Sequence, residues 1–161
     1  MEKTFTNYAK SLLVCLMVLG GLTVACDDDD DIDIVDEVEF VNVELLGANE
    51  RPPVESSGSG EMDVVYNDAT NMLTYTISWE LGNPDDNTVA MHFHGPADVN
   101  SSAPPVIDIT GFDTDNSGTV TGTTRALTDD EEADLKAGLW YVNIHSATHP
   151  SGELRGNLIE D

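Results

Sequence analysis

The chain has 161 residues, enough for one domain of ordinary size and too few for two full ones. Six Lys and Arg stand against 31 Asp and Glu, a formal net charge of −25 at pH 7 with the four His neutral. That balance excludes a nucleic-acid binder, which needs clustered cations, and argues against direct attraction to an anionic membrane surface. Hydrophobic residues make up 40 %, which excludes a wholly disordered chain, so the acidity should be concentrated in a tail.

Lys3 and Lys10 precede an uncharged stretch, Ser11 to Ala25, rich in Leu and Val. A basic start, an apolar middle and small residues at the end predict a secretory signal peptide; the run falls short of the roughly 18 to 20 apolar residues that a spanning helix needs. Its close, Leu22-Thr23-Val24-Ala25-Cys26, resembles the bacterial lipobox, where signal peptidase II cuts before a cysteine lipidated on sulfur. Residues 1–25 are therefore expected to form a lipoprotein signal peptide, with Cys26 lipidated and holding the protein to the membrane. Cys15 would leave with the leader, so no intramolecular disulfide is available, and a lone unmodified thiol in an oxidising compartment would be a liability. The competing expectation is an ordinary signal peptide that leaves Cys26 free.

Residues 26–39 carry nine acids between Asp27 and Glu39, a density that cannot pack and predicts a solvated tether. Acidic residues just after a lipidated cysteine resemble the signals that send some Gram-negative lipoproteins to the outer face of the outer membrane. The implied location is the cell envelope, surface-exposed. Calcium capture by this run would be weak, because a flexible chain cannot preorganise the roughly six to eight oxygens the ion takes.

The folded domain is expected over residues 40–161, where the hydrophobic period is two. Val41, Val43 and Leu45 alternate with Asn42 and Glu44; Met62, Val64 and Tyr66 with Asp63 and Asn67; Leu73, Tyr75, Ile77 and Trp79 with Thr74, Thr76 and Ser78. Further strands fall at Thr88–His94, Val106–Ile109, Thr119–Thr124, Trp140–His145 and Glu153–Ile159. Turn chemistry separates them at Ser56–Gly60, Asn67–Asn71, Gly82–Asn87 and Asn116–Gly118. About eight strands with short turns predict an all-β fold, an antiparallel sandwich or barrel-like module. One short helix interrupts it: Thr128-Asp129-Asp130-Glu131 is a capping box, Leu135 an apolar contact, Lys136 a favourable last-turn charge and Gly138 a natural stop. Asp113–Gly118 begins like a calcium loop, but Thr124 stands where a bidentate Glu is required, so a hairpin turn is expected there.

Alternation places His92 and His94 on one face of their strand and Met91 and Phe93 on the other. The same parity puts Tyr141, Asn143 and His145 opposite Trp140, Val142 and Ile144, and sets Glu153 and Arg155 opposite Leu154. If these strands are neighbours, one face gathers His, Asn, Glu and Arg. A metal reading assigns His92, His94, His145 and His149 as ligands for zinc or copper, with Glu153 as a further ligand or acceptor. The plainer reading is a hydrogen-bonded polar network of Asn143, Glu153, Arg155 and the histidines. An H-x-H pair with later histidines also resembles copper–zinc superoxide dismutase, another β-sandwich; this chain lacks that family's disulfide pair and full zinc-ligand loop. No G-x-S-x-G motif and no cysteine in the mature domain offer a nucleophile, so no catalytic residue is assigned.

Three segments resemble the CHRD domain, the module named after chordin and also found in bacterial secreted proteins. They are Leu46-Gly47-Ala48-Asn49-Glu50-Arg51-Pro52-Pro53-Val54, then Ala90-Met91-His92-Phe93-His94-Gly95-Pro96-Ala97, and the run from Gly138 to Leu158 containing Trp140-Tyr141-Val142-Asn143-Ile144-His145 and Gly152-Glu153-Leu154-Arg155-Gly156. Ser146 and Asn157 replace the more usual Thr and Gln. The resemblance implies a β-sandwich-like extracellular module without an established enzymatic activity. The resulting expectation is a lipid-anchored binding module at the cell envelope, with a protein or glycan ligand and no nucleic acid. The alternative is a His-rich zinc or copper protein with a superoxide-dismutase-like metal face.

Overall fold

The computed structural model describes residues 37–160; the expected signal peptide, Cys26 and most of the acidic tether lie outside the described residues. The alternating segments form eight strands: β1 (Glu37–Leu46), β2 (Ser59–Asn67), β3 (Met72–Glu80), β4 (Thr88–His94), β5 (Pro105–Asp108), β6 (Ser117–Thr123), β7 (Trp140–Ser146) and β8 (Leu154–Leu158). All pairings are antiparallel, in one sheet of order β5-β4-β7-β8-β1-β2-β3-β6. The fold is all-β as expected, with one short helix, α1 (Asp129–Lys136), and a 3-10 turn at Gly47–Asn49.

Although β3 and β4 stand far apart in that order, their side chains meet. The rings of Tyr75 and Phe93 lie edge to face at 5.5 Å, and Trp79 Nε1–H donates to Thr88 Oγ1 at 2.8 Å. The sheet therefore curls into a half-barrel whose concave side holds Met62, Ile77, Met91, Phe93, Trp140, Val142 and Ile144. Period-two sequence is what this needs, since every inward residue has an outward neighbour.

Two local expectations are corrected. Val41 does not face inward; it is 49 % exposed, because pairing jumps from Phe40↔Val64 to Val43↔Met62 and inserts an extra residue. Asn42 takes a left-handed φ of 54° there and donates its backbone N–H to Asp63 Oδ1, so parity reverses across the bulge and Phe40, not Val41, enters the core. Asp113–Gly118 is not a hairpin turn either, since β5 and β6 occupy opposite edges of the sheet. The segment crosses between them, with the carbonyls of Asp115 and Asn116 accepting from Thr88 Oγ1 and Leu81 N–H.

Helix α1 has the capping box read from the sequence, with Thr128 and Glu131 bonding reciprocally, and Leu135 is fully buried beneath it. Lys136 bridges Asp68 and Glu132 at 2.8 and 2.7 Å, tying the helix to the β2–β3 turn. None of the described helices is long and apolar enough to cross a membrane.

Strands β7 and β8 are buried on both faces, and β4 is so only at its His94 end, since Val89 is exposed and His92 half-buried. The core covers one face, and the segments 47–57 and 96–104 cover the other. Asn49 Nδ2 donates to the Arg155 carbonyl from the first, and Ala103 meets Tyr141 from the second. This second, polar interior is where the sequence concentrates its unusual residues.

Candidate functional site

Hydrogen-bonded register lines up Asp108, His92, Asn143 and Arg155 in one row across β5, β4, β7 and β8. The next row holds His94, Tyr141 and Asn157, while His145 sits opposite Ala90. Side-chain parity thus delivers three histidines, a tyrosine, an asparagine and an arginine to the outer face of three adjacent strands.

Arg155 is the anchor of this face, fully buried. Its Nη1 donates to the Ser101 carbonyl at 2.8 Å and its Nε to Asn157 Oδ1 at 3.0 Å, and its guanidinium carbon lies 3.6 Å from the centre of the Tyr141 ring. Burial holds the guanidinium below its ordinary pKa, opposed by the nearby Tyr141 and Glu50. Tyr141 also carries His94, stacked at 4.7 Å and 8° from parallel.

His94 is 5 % exposed, with Nδ1 2.9 Å from the Ala103 carbonyl and Nε2 2.9 Å from Asn143 Oδ1. Burial lowers its pKa, and the charge of His92 adds to that. Asn143 Nδ2 in turn faces Glu50 Oε1 at 3.4 Å. Burial pushes the Glu50 carboxyl up, partly offset by Asn143 and Arg155. Gly152, at φ +124°, makes room for this contact: a side chain there would collide with the Glu50 carboxylate and the Asn143 amide.

His92, His94 and His145 come together, one ring nitrogen from each lying within 4.8 Å of the others. The tightest approach is His92 Nδ1 to His145 Nε2, 3.1 Å. His145 Nδ1–H donates to the Pro150 carbonyl at 3.0 Å, and His92 Nε2 lies 3.6 Å from Asp108 Oδ1. Burial also lowers the His145 pKa.

His149 and Glu153 sit elsewhere, in a cleft of about 230 Å³ lined also by Ser56, Gly82, Asp86 and Thr148. Glu153 Oε1 accepts from Ser56 Oγ at 2.6 Å and Gly82 N–H at 2.8 Å. Burial by itself raises this carboxyl; the polar groups around it, Ser146, Ser56 and the Gly82 N–H, with His149 nearby, outweigh it and hold the group below its ordinary value. Glu153 here ties β8 to the segments before β2 and after β3. Of the residues grouped by the sequence reading, Asn143 and Arg155 share the face of the three histidines, and Glu153 and His149 share the cleft.

Glu50 and Asp108 were given no site role by the sequence. Glu50 could be suspected from its place in the Leu46–Val54 motif, since an acid between Asn49 and Arg51-Pro52-Pro53 has no periodic reason to be buried. Asp108 carries no such signal, because only strand register sets it beside His92.

Comparison with known families matches residues 41–158 to the CHRD domain. No curated protein and no solved structure matches the chain.

Proposed function

Because the chain belongs to the CHRD domain family, we propose that it is a non-enzymatic interaction module working outside the cell, tethered to the cell envelope through lipid on Cys26. The observation that carries the reading is the match over residues 41–158, nearly the whole described domain, to a family of extracellular interaction modules without enzymatic activity. The anchor is supported by the apolar run from Ser11 to Ala25 that ends at Cys26, and the acidic run from Asp27 supports display at the outer membrane surface. In this reading the acidic segment keeps the domain away from an anionic surface, and the domain meets a protein or glycan ligand.

Metabolic labelling with a fatty-acid analogue, followed by fractionation of cells, tests the anchor. Wild-type protein is expected to be labelled and membrane-associated, and Cys26→Ala unlabelled and released. A wild-type protein released without label would overturn it. Binding to envelope or matrix material that survives His92→Ala/His94→Ala would support an interaction surface independent of the histidines.

A further inference from the structure

We propose that His92, His94 and His145 bind a single zinc or copper ion on the outer face of the sheet, with Nε2 of His94, Nε2 of His145 and Nδ1 of His92 as donors. The proposal is separate from the envelope anchor and stands on the geometry of the three rings.

Convergence comes first. Two ligands leave β4 at spacing two and the third leaves the neighbouring strand β7, so hydrogen-bonded register rather than a mobile loop brings them together. One nitrogen of each lies within 4.8 Å of the others, and the His92–His145 pair at 3.1 Å is already near the roughly 3.3 Å between imidazole nitrogens around a tetrahedral ion. For a tetrahedral ion the other separations, up to 4.8 Å, must close toward the same value by movement of the rings.

Proton placement comes second. A backbone carbonyl can only accept, so Pro150 holds the proton of neutral His145 on Nδ1 and leaves the Nε2 lone pair aimed at His92. Ala103 does the same for His94, which places the lone pair on Nε2, beside the Asn143 amide. Orientation of a ligating imidazole through its other nitrogen is the usual support of a metal site. For His92, the remaining nitrogen lies 3.6 Å from the Asp108 carboxylate, beyond direct hydrogen-bond reach, so that carboxylate supports the ligand through its charge alone.

The third point is the contact that the ion replaces. His94 Nε2 lies 2.9 Å from the Asn143 side-chain amide, and a cation at the centre of the three rings takes up the Nε2 lone pair in place of that contact. Stacking on Tyr141 limits how far His94 can turn, and the 20 % exposed side chain of His92 leaves a way in from solvent. An all-imidazole donor set suits zinc or copper, with copper(II) the tighter of the two.

The test uses the full-length protein in detergent, made without a polyhistidine tag, titrated calorimetrically with copper(II) and separately with zinc(II). Excess magnesium occupies the carboxylates of the acidic run. One ion per chain is expected, with His92→Ala and His145→Gln each weakening binding at least a hundredfold and His149→Gln leaving it unchanged. The copper(II) electron paramagnetic resonance spectrum should show nitrogen couplings that diminish in His92→Ala. His92 is partly exposed, so its variant should fold, and a melting curve in metal-free buffer verifies this; should His145→Gln unfold, His92→Ala alone decides. Absence of binding beyond magnesium-competed background, unchanged affinity in folded His92→Ala, or equal loss in His149→Gln would each overturn the proposal.

Discussion

The guanidinium of Arg155 lies 3.6 Å from the centre of the Tyr141 ring while its N–H groups reach the carbonyls of Ser101 and Asp98. One side chain thereby joins β8, β7 and the loop after β4. Tyr141 Oη closes the same circuit, donating to the carbonyl of Ala103, which also faces His94. The histidine face is held by this buried cation, so its variants read out the integrity of the whole outer layer.

Arg155→Lys keeps the charge but loses the planar fork and the flat contact with Tyr141. Loss of bonds to Ser101, Asp98 and Asn157 in a buried setting should cost about 2 to 3 kcal/mol. Urea unfolding monitored by tryptophan fluorescence measures it, and an unchanged midpoint would show that the network contributes little.

Gly152→Ala should destabilise by at least about 2 kcal/mol, since φ +124° is strained for any L side chain and the new methyl meets Glu50 and Asn143. Thermal melts of the two proteins test this. Because the collision falls on Asn143, a partner of His94, histidine NMR signals should shift in the variant as well.

Paired with Arg125 through two 2.7 Å contacts, Glu131 has its pKa lowered to about 2 from an ordinary 4.5. A carboxyl depressed in the folded state stabilises fully above about pH 4.5 and loses that contribution as the pH falls through about 2. Solvent exposure of the pair limits its worth to roughly 1 kcal/mol. Glu131→Gln keeps the capping geometry and removes the charge, so it should melt below wild type at pH 6 and level with it at pH 2. A gap that is the same at both pH values would mean the ion pair contributes nothing.

Glu50 works in the opposite sense. Burial raises its pKa above 4.5, so the protonated form suits the fold, and the favourable contribution is complete below that value and is lost as the pH rises through the folded one. Glu50→Gln preserves an acceptor for Asn143 Nδ2 and should unfold at higher urea than wild type at pH 8, with the difference vanishing near pH 4. A variant weaker than wild type at pH 8 would mean that attraction to Arg155 outweighs the burial.

The strands and α1 were legible because period-two alternation and the Thr128–Glu131 capping box are local signals. Parity alone sent His92, His94, Asn143 and His145 to one side of their strands. Val41 misled because a bulge reverses parity without any mark in composition, and Asp113–Gly118 misled because turn residues serve a long crossing as well as a hairpin. His149 was grouped with the other histidines by nearness in the chain, yet the turn after β7 carries it to the Glu153 cleft.

Sequence by itself determined the all-β class, the face shared by His92 and His94 and that shared by Tyr141, Asn143 and His145, and the family, since these depend on side-chain alternation and short motifs within single segments. Only the tertiary structure decided that β4, β7 and β8 are neighbours, that Glu50 and Arg155 are buried together above them, and that three of the four histidines converge. Those relationships depend on which strands pair and how the sheet curls, and pairing is a long-range choice that no single segment encodes.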